Sequence, residues 1–389
     1  MTLPENERDY NALSDANFRC EVRAFIEQNY PQKLRFMLRR VKRDEIMEWW
    51  RALYLKGWIA PSWPVEYGGM GLNGGKMVIF IEELEHYGVV ASPDKGITHV
   101  GPTIMKFGTE AQKRFYLPRN ASGEYIWCQG YSEPNAGSDL ANLQTSALID
   151  GENFVINGQK TWTSMAHDST HMFVLVRTKK NTNKKQEGIS FLLVDLASPG
   201  ITIRPMRNIA GHQEFCEIFF DNVRVPVDAL VGKLDDGWRV AKALLSFERL
   251  NIGSPRRSQY ALRRLQMLAK AKGLFSDSGF VDKYATLTMD VEDLGSLYGR
   301  FVEQVKRGEP LGQDVSSLKI WGMETWQRLT ELLIETGAED GVGDGLQNID
   351  DVEIDFLTTF YYARSATIYG GSSEIQRNII AKYVLQLPS

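Results

Sequence analysis

Hydrophobic and polar positions along this chain change period twice. Within residues 14–30, Phe18, Val22, Phe25 and Ile26 fall among charges, the spacing of one buried face on an α-helix. The same spacing returns over 43–56 and 76–87, so residues 1–125 predict an N-terminal helical domain. From Ile126 the period shortens. β-branched and aromatic residues gather over 145–149, 153–156, 171–178, 188–196, 201–205 and 217–225, with Asp150-Gly151 and Asn157-Gly158 reading as turns. Residues 126–236 therefore predict a middle, mostly antiparallel β domain. After Gly237 the helical period resumes over 238–251, 256–272, 283–306, 315–335 and 352–387, which makes 237–389 a C-terminal helical domain. Helices, then strands, then helices imply an α+β fold and argue against a doubly wound sheet, in which the two would alternate.

Composition narrows the function classes. The 389 residues are 43% hydrophobic and 24% charged, ordinary for a globular chain that can bury a large core. With 45 Lys+Arg against 49 Asp+Glu, the net charge of -4 supplies no field for nucleic acid or an anionic membrane. Cys20, Cys128 and Cys216 are far apart and in no C-x-x-C pair, so neither a disulfide framework nor a metal site is expected, and a reducing cytoplasm fits. The polar start of the chain has no signal-peptide pattern, and no apolar run reaches membrane-spanning length.

Gly69-Met70-Gly71-Leu72-Asn73-Gly74 matches the G-x-G-x-x-G dinucleotide pattern, but that pattern needs a preceding strand. Pro61 and Pro64 stand there instead and cannot supply a buried ladder's N–H groups, so a glycine-rich turn is expected. Two further segments carry chemistry. Gly130-Tyr-Ser-Glu-Pro-Asn-Ala-Gly-Ser-Asp139 follows the first strand and gathers hydroxyl and backbone donors that can cradle a ring or a phosphate. Asn157-Gly-Gln-Lys-Thr-Trp-Thr-Ser164 puts Trp162 between hydroxyl residues on a strand, where a tryptophan is ordinarily core.

Together with the helix-strand-helix layout, these two segments resemble the flavin-binding face of the acyl-CoA dehydrogenases. Residues 61–72, Phe107-Gly-Thr-Glu-Ala-Gln-Lys113, Glu217-Ile-Phe-Phe-Asp-Asn-Val-Arg-Val-Pro226 and Ile368-Tyr-Gly-Gly-Ser-Ser-Glu-Ile-Gln-Arg377 extend the resemblance over nearly the whole chain. It implies FAD as cofactor, an acyl-CoA substrate, a tetramer of like or unlike subunits, and an electron-transfer flavoprotein as acceptor. It also implies that Tyr131, Ser132, Gly137 and Ser138 contact flavin ring, pyrophosphate or thioester, Ser138 serving the substrate as well. Trp162, Thr163 and Ser164 would lie against the isoalloxazine, and Ser372 and Glu374 would bind flavin across a subunit interface.

The base departs from a common family pattern. Many members place a glutamate after the tyrosine of the C-terminal motif, where this chain has Tyr369-Gly370-Gly371. Another branch, resembling isovaleryl-CoA dehydrogenase, places it on the helix opening the C-terminal domain, where this chain has Glu248. Ala241, Leu245, Glu248 and Ile252 share one helical face, and a carboxylate among apolar groups has the raised pKa that suits a base for a carbon-bound proton. Arg249 would organise the substrate pocket. A second departure concerns the segments through which homotetrameric members hold a neighbour's FAD. The Arg-x-x-Phe-Gly segment is reduced to Lys272-Gly-Leu-Phe275-Ser276, and the Gln-x-x-Gly-Gly segment is replaced by a stretch with seven carboxylates between Glu339 and Asp355 and no Lys or Arg. That stretch repels a pyrophosphate. Arg256, Arg257, Arg263 and Arg264 form a basic stripe, read as a solvated face or a contact for CoA phosphates. The chain thus looks most like the large subunit of pimeloyl-CoA dehydrogenase and actinobacterial heteromeric relatives. The competing roles are a non-catalytic subunit that completes a partner's FAD site, and an acyl-CoA oxidase.

Overall fold

The computed structural model describes residues 8–37, 39–90, 94–349 and 352–388, with side chains at all of these except 245–252. They form two compact units, Met1–Phe247 and Glu248–Ser389. The first unit opens with helices α1 (Asp15–Asn29), α2 (Arg43–Lys56) and α3 (Gly74–Tyr87), then a π-helical turn at Gly96–Val100, α4 (Gly101–Phe107) and α5 (Glu110–Ser122). Local chemistry sets their ends. The Ser14 hydroxyl accepts the Asn17 N–H at 3.2 Å to cap α1, and Gly57 closes α2 in the left-handed conformation (φ 73°). The apolar stripe legible in α1 is buried, with Phe18, Val22 and Ile26 packed into a core containing Trp49, Trp58 and Phe80. Residues 65–67, ahead of the glycine-rich pattern, form a single 3₁₀ turn. Gly69 is needed there because a Cβ would lie 2.1 Å from the Trp63 carbonyl oxygen.

Seven strands follow: β1 (Trp127–Gly130), β2 (Ser146–Asp150), β3 (Asn153–Ser164), β4 (His171–Arg177), β5 (Ile189–Asp195), β6 (Ile201–Arg207) and β7 (Gln213–Pro226). They lie in the order β1-β4-β2-β3-β7-β6, with β5 also on β4. The β1/β4 and β2/β4 pairs are parallel and the others antiparallel. Asn157-Gly158 is not the turn its sequence suggests: β3 runs on through it, with a register shift against β7 between Ile156 and Gly158. Gly158 allows this because its backbone (φ 144°) comes so close to β2 that a Cβ would lie 2.7 Å from Thr145. Helix α6 (Gly237–Ile252) comes next in the chain.

The second unit contains α7 (Arg256–Ala271), α8 (Ser278–Lys306), α9 (Ser316–Gly337), α10 (Phe356–Ala366) and α11 (Ser373–Ile379). Leu265, Leu268, Leu329, Leu333 and Phe356 fill its core. The helical period read over 352–387 is interrupted. Val352–Ile354 is strand β9, paired antiparallel with β8 (Gln347–Ile349), and Gly370 and Gly371 (φ 63° and 82°) break the chain between α10 and α11. The basic stripe is not simply solvated: an Arg257 guanidinium N–H donates to the Tyr369 hydroxyl at 2.5 Å, and Arg264 donates to the Glu353 carbonyl.

Candidate functional site

Strand β1 delivers the chain into the donor-rich segment, where Tyr131 is buried, Ser132 half-buried, and Gly137 and Ser138 exposed. Its backbone is fastened to β3. The Thr161 N–H donates to the Ser132 carbonyl at 3.0 Å, and the Lys160 ammonium donates to the Tyr131 carbonyl at 3.0 Å and to the Glu133 carboxylate at 2.8 Å. Glu133 also accepts the N–H groups of Gln144 (2.6 Å) and Thr145 (2.9 Å). Burial pushes the Glu133 carboxyl up, but Lys160 and these donors outweigh it and hold the group below the usual carboxylate range. Burial lowers Lys160 to about 8 against the pull of Glu133. A buried ion pair with its remaining hydrogen bonds satisfied fixes geometry, here the position of the loop over β3.

Two residues beyond Lys160 stands Trp162. Its φ of 58° lies in the left-handed region, where the β3/β7 register shifts between Lys160 and Thr163. The ring is 62% exposed and touches Phe215 edge-on at 6.1 Å. This is not the core position ordinary for a strand tryptophan. A large aromatic that is both strained and exposed is disfavoured twice over, and such costs concentrate at ligand sites. Next to it Thr163 is buried, its hydroxyl without a hydrogen-bond partner among the described residues, while Ser164 is half-buried. Residues 131–138 and 162–164 are thus brought together as an open aromatic face beside hydroxyl and backbone donors, suited to a flat, polar-edged ring.

The other candidates belong to the second unit. Ser372 caps α11, its hydroxyl accepting the Ile375 N–H at 3.3 Å, and Glu374 is exposed, its carboxyl held low by its own backbone N–H and by Ser372. The side chains of Glu248 and Arg249 on α6 lie outside the described residues.

Three residues escaped the sequence reading. Lys160 and Glu133 are 27 residues apart, and neither departs locally from an ordinary surface charge. The third is Asp94, fully buried, whose carboxylate accepts the N–H groups of Gly96 (2.7 Å), Ile97 (3.1 Å) and Trp127 (2.8 Å). It ties the π-helical turn to the start of β1, and burial raises its carboxyl to about 6. Its only local signal was an Asp two residues before a helix-opening glycine.

Comparison with known proteins bears on the same features. Family models match residues 14–124 as "Acyl-CoA dehydrogenase, N-terminal domain", 128–223 as the middle domain and 235–385 as the C-terminal domain. The chain belongs to the acyl-CoA dehydrogenase family. It is 42% identical over 358 residues to the acyl-CoA dehydrogenase IpdE1 of Mycobacterium tuberculosis, covering 89% of each chain. Among solved structures, the ChsE4-ChsE5 complex from Mycobacterium tuberculosis contains a chain 31% identical, with a TM-score of 0.83 over 98% of this chain and 100% of that one. The Tcur3481-Tcur3483 steroid ACAD is 28% identical, with a TM-score of 0.86 over 96% and 97%.

Acyl-CoA dehydrogenases are FAD-dependent oxidoreductases, and the site fits that group. The exposed Trp162 offers a wall for a flat ring, and the unpartnered Thr163 hydroxyl is a buried polar group of the kind a bound ligand satisfies. No described helix is long and apolar enough to cross a membrane.

Proposed function

We propose that this chain catalyses the α,β-dehydrogenation of a CoA thioester to a trans-2-enoyl-CoA, with Glu248 as the base, in a heteromer with a sibling dehydrogenase subunit. The observation that carries the site is the strained, exposed Trp162 beside the loop pinned by Lys160 and Glu133. Tyr131, Ser132, Gly137, Ser138, Trp162, Thr163 and Ser164, with Ser372 and Glu374, would hold the FAD. When bound, FAD supplies the two-electron acceptor that side chains lack. The protein's part is positioning, proton removal and exclusion of water. Donors of the 131–138 segment orient the thioester and stabilise charge growing on its carbonyl oxygen, which acidifies the α-carbon. Glu248 then takes the α-proton onto a carboxylate oxygen, while Arg249 orders the pocket. An electron-transfer flavoprotein is the acceptor this reading assigns, in the cytoplasm.

A heteromer is favoured by the fate of Lys272. It stands where the family's diphosphate-gripping arginine is expected, yet its ammonium donates to the Gly337 carbonyl at 2.9 Å and lies 3.7 Å from the Asp340 carboxylate. A cation satisfied within its own unit is a poor anchor for a neighbour's phosphate, so a sibling subunit with the intact segments would supply that grip. The related ChsE4-ChsE5 complex agrees with this reading, and the similar steroid ACAD makes ring-bearing sterol-derived CoA esters the first substrates to try.

Anaerobic mixing of the flavin-loaded protein with a panel of acyl-CoA esters tests the proposal. At least one ester should bleach the flavin. A holoprotein that no ester bleaches would be the silent, site-completing subunit, and stoichiometric peroxide in air would make it an oxidase.

A further inference from the structure

Beside Tyr369, the second unit holds a buried cation that no carboxylate contacts directly among the described residues. Lys319, on α9, is 3% exposed, and its ammonium makes no hydrogen bond to the described residues. The Tyr369 ring is 5.8 Å away. Glu374 and Glu324 attract it only at longer range, and Glu324 is already paired with Arg377 at 2.8 Å. The hydroxyls of Ser316, one turn earlier on α9, and of Ser373, on α11, are likewise buried and unsatisfied. Folded proteins seldom leave one such group without a partner, and an unpaired buried ammonium is costlier still.

We propose that Lys319, with Ser316 and Ser373, forms a site for a phosphoryl group of a bound nucleotide. The ammonium can only donate and both hydroxyls are able to, so an anion is the partner that would satisfy all three at once. Lysine's flexible stem lets the ammonium move to meet it. Burial lowers Lys319 to about 8, and an anion beside it would favour the charged form. The inference rests on the flavin reading, which puts Ser372 and Glu374 of the same turn against FAD. The phosphoryl group has two possible sources, the FAD diphosphate or the phosphates of CoA.

The test compares wild type, Lys319→Met and Lys319→Arg as full-length protein, co-expressed with any sibling subunit it requires. Dissociation constants are measured for FAD against riboflavin, and for CoA against pantetheine. Lys319→Met should weaken either FAD or CoA by about tenfold or more, while leaving its phosphate-free counterpart unchanged and the apo melting temperature equal or higher. Lys319→Arg should restore much of the affinity. The arm that responds identifies the source. Unchanged FAD and CoA affinities in Lys319→Met, or a fall in apo stability that lowers all four affinities together, would overturn the inference and leave the flavin reading standing. Wild-type protein that binds neither FAD nor riboflavin would overturn the flavin reading as well.

Discussion

Trp162 shows how much one residue can carry. Its identity was legible in the sequence but its placement was not, because strand alternation and aromatic size both favour the core. What moves it outside is the positive φ at the register shift, a backbone event with no glycine to announce it. With the ring 62% exposed, Trp162→Ala should leave apo stability nearly unchanged but lower FAD retention by the stacking energy, of order 1 kcal/mol, plus the lost contact area. Thermal melts of the apo form with flavin titration measure both. A buried core tryptophan would instead cost roughly 3 to 5 kcal/mol. Asp94 makes a pH-dependent prediction. Burial raises its carboxyl to about 6, above the unfolded value, so the folded state binds the proton more tightly. Its contribution to stability is therefore complete below about pH 4 and is lost as pH rises through about 6. Wild type should therefore lose stability relative to Asp94→Asn over that window, as urea denaturation at about pH 4.5 and about pH 7 would show. A constant difference would mean that Asp94 ionises normally.

At the scale of elements, the hydrophobic period placed α1, α2 and α3 closely because each sets apolar positions among polar ones at helical spacing, and Gly57 ends α2 and Gly88 ends α3. It failed where the backbone, not burial, decides. Asn157-Gly158 has turn composition, yet β3 continues because the glycine is used for close approach to Thr145. The helical reading of 352–387 missed β9 because the three residues Val352–Ile354 are too short for either period to register. The loop over β3 depends on the Lys160 and Glu133 pair, two distant residues whose meeting only the fold reveals. Glu133→Ala should cost about 3 to 5 kcal/mol, since it leaves the Lys160 ammonium buried without its counter-charge and frees the Gln144 and Thr145 N–H groups. The double variant Glu133→Leu/Lys160→Met should recover much of that loss in chemical denaturation. A loss in the double variant equal to the sum of the Glu133→Leu and Lys160→Met losses would show that the pair is not coupled.

For the whole molecule, the family was legible because its motifs are spread through the chain in order, and three matched domain models now support the same reading. The proposed heteromer rests on an absence, the two missing diphosphate segments, and on the internally satisfied Lys272. Expressed alone, the chain should purify with little flavin. Co-expression with a sibling dehydrogenase should restore colour and give a heterotetramer by native mass spectrometry, with one FAD for each unlike pair. A fully active homotetramer with one FAD per chain would contradict this and return attention to Arg256 and Arg257.

The central claim is that this chain removes the substrate α-proton through Glu248, because Gly370 leaves the family's alternative position without a carboxylate. Single-turnover flavin reduction by a reactive acyl-CoA, compared between wild type and Glu248→Gln in the same assembly, tests it most directly. Glutamine preserves shape and removes the proton acceptor, so FAD content and acyl-CoA binding should persist while the reduction rate falls by about 10²–10⁴-fold. A fall of less than about tenfold with FAD and substrate still bound would contradict the account and move the base elsewhere, with Glu374 the next residue to test.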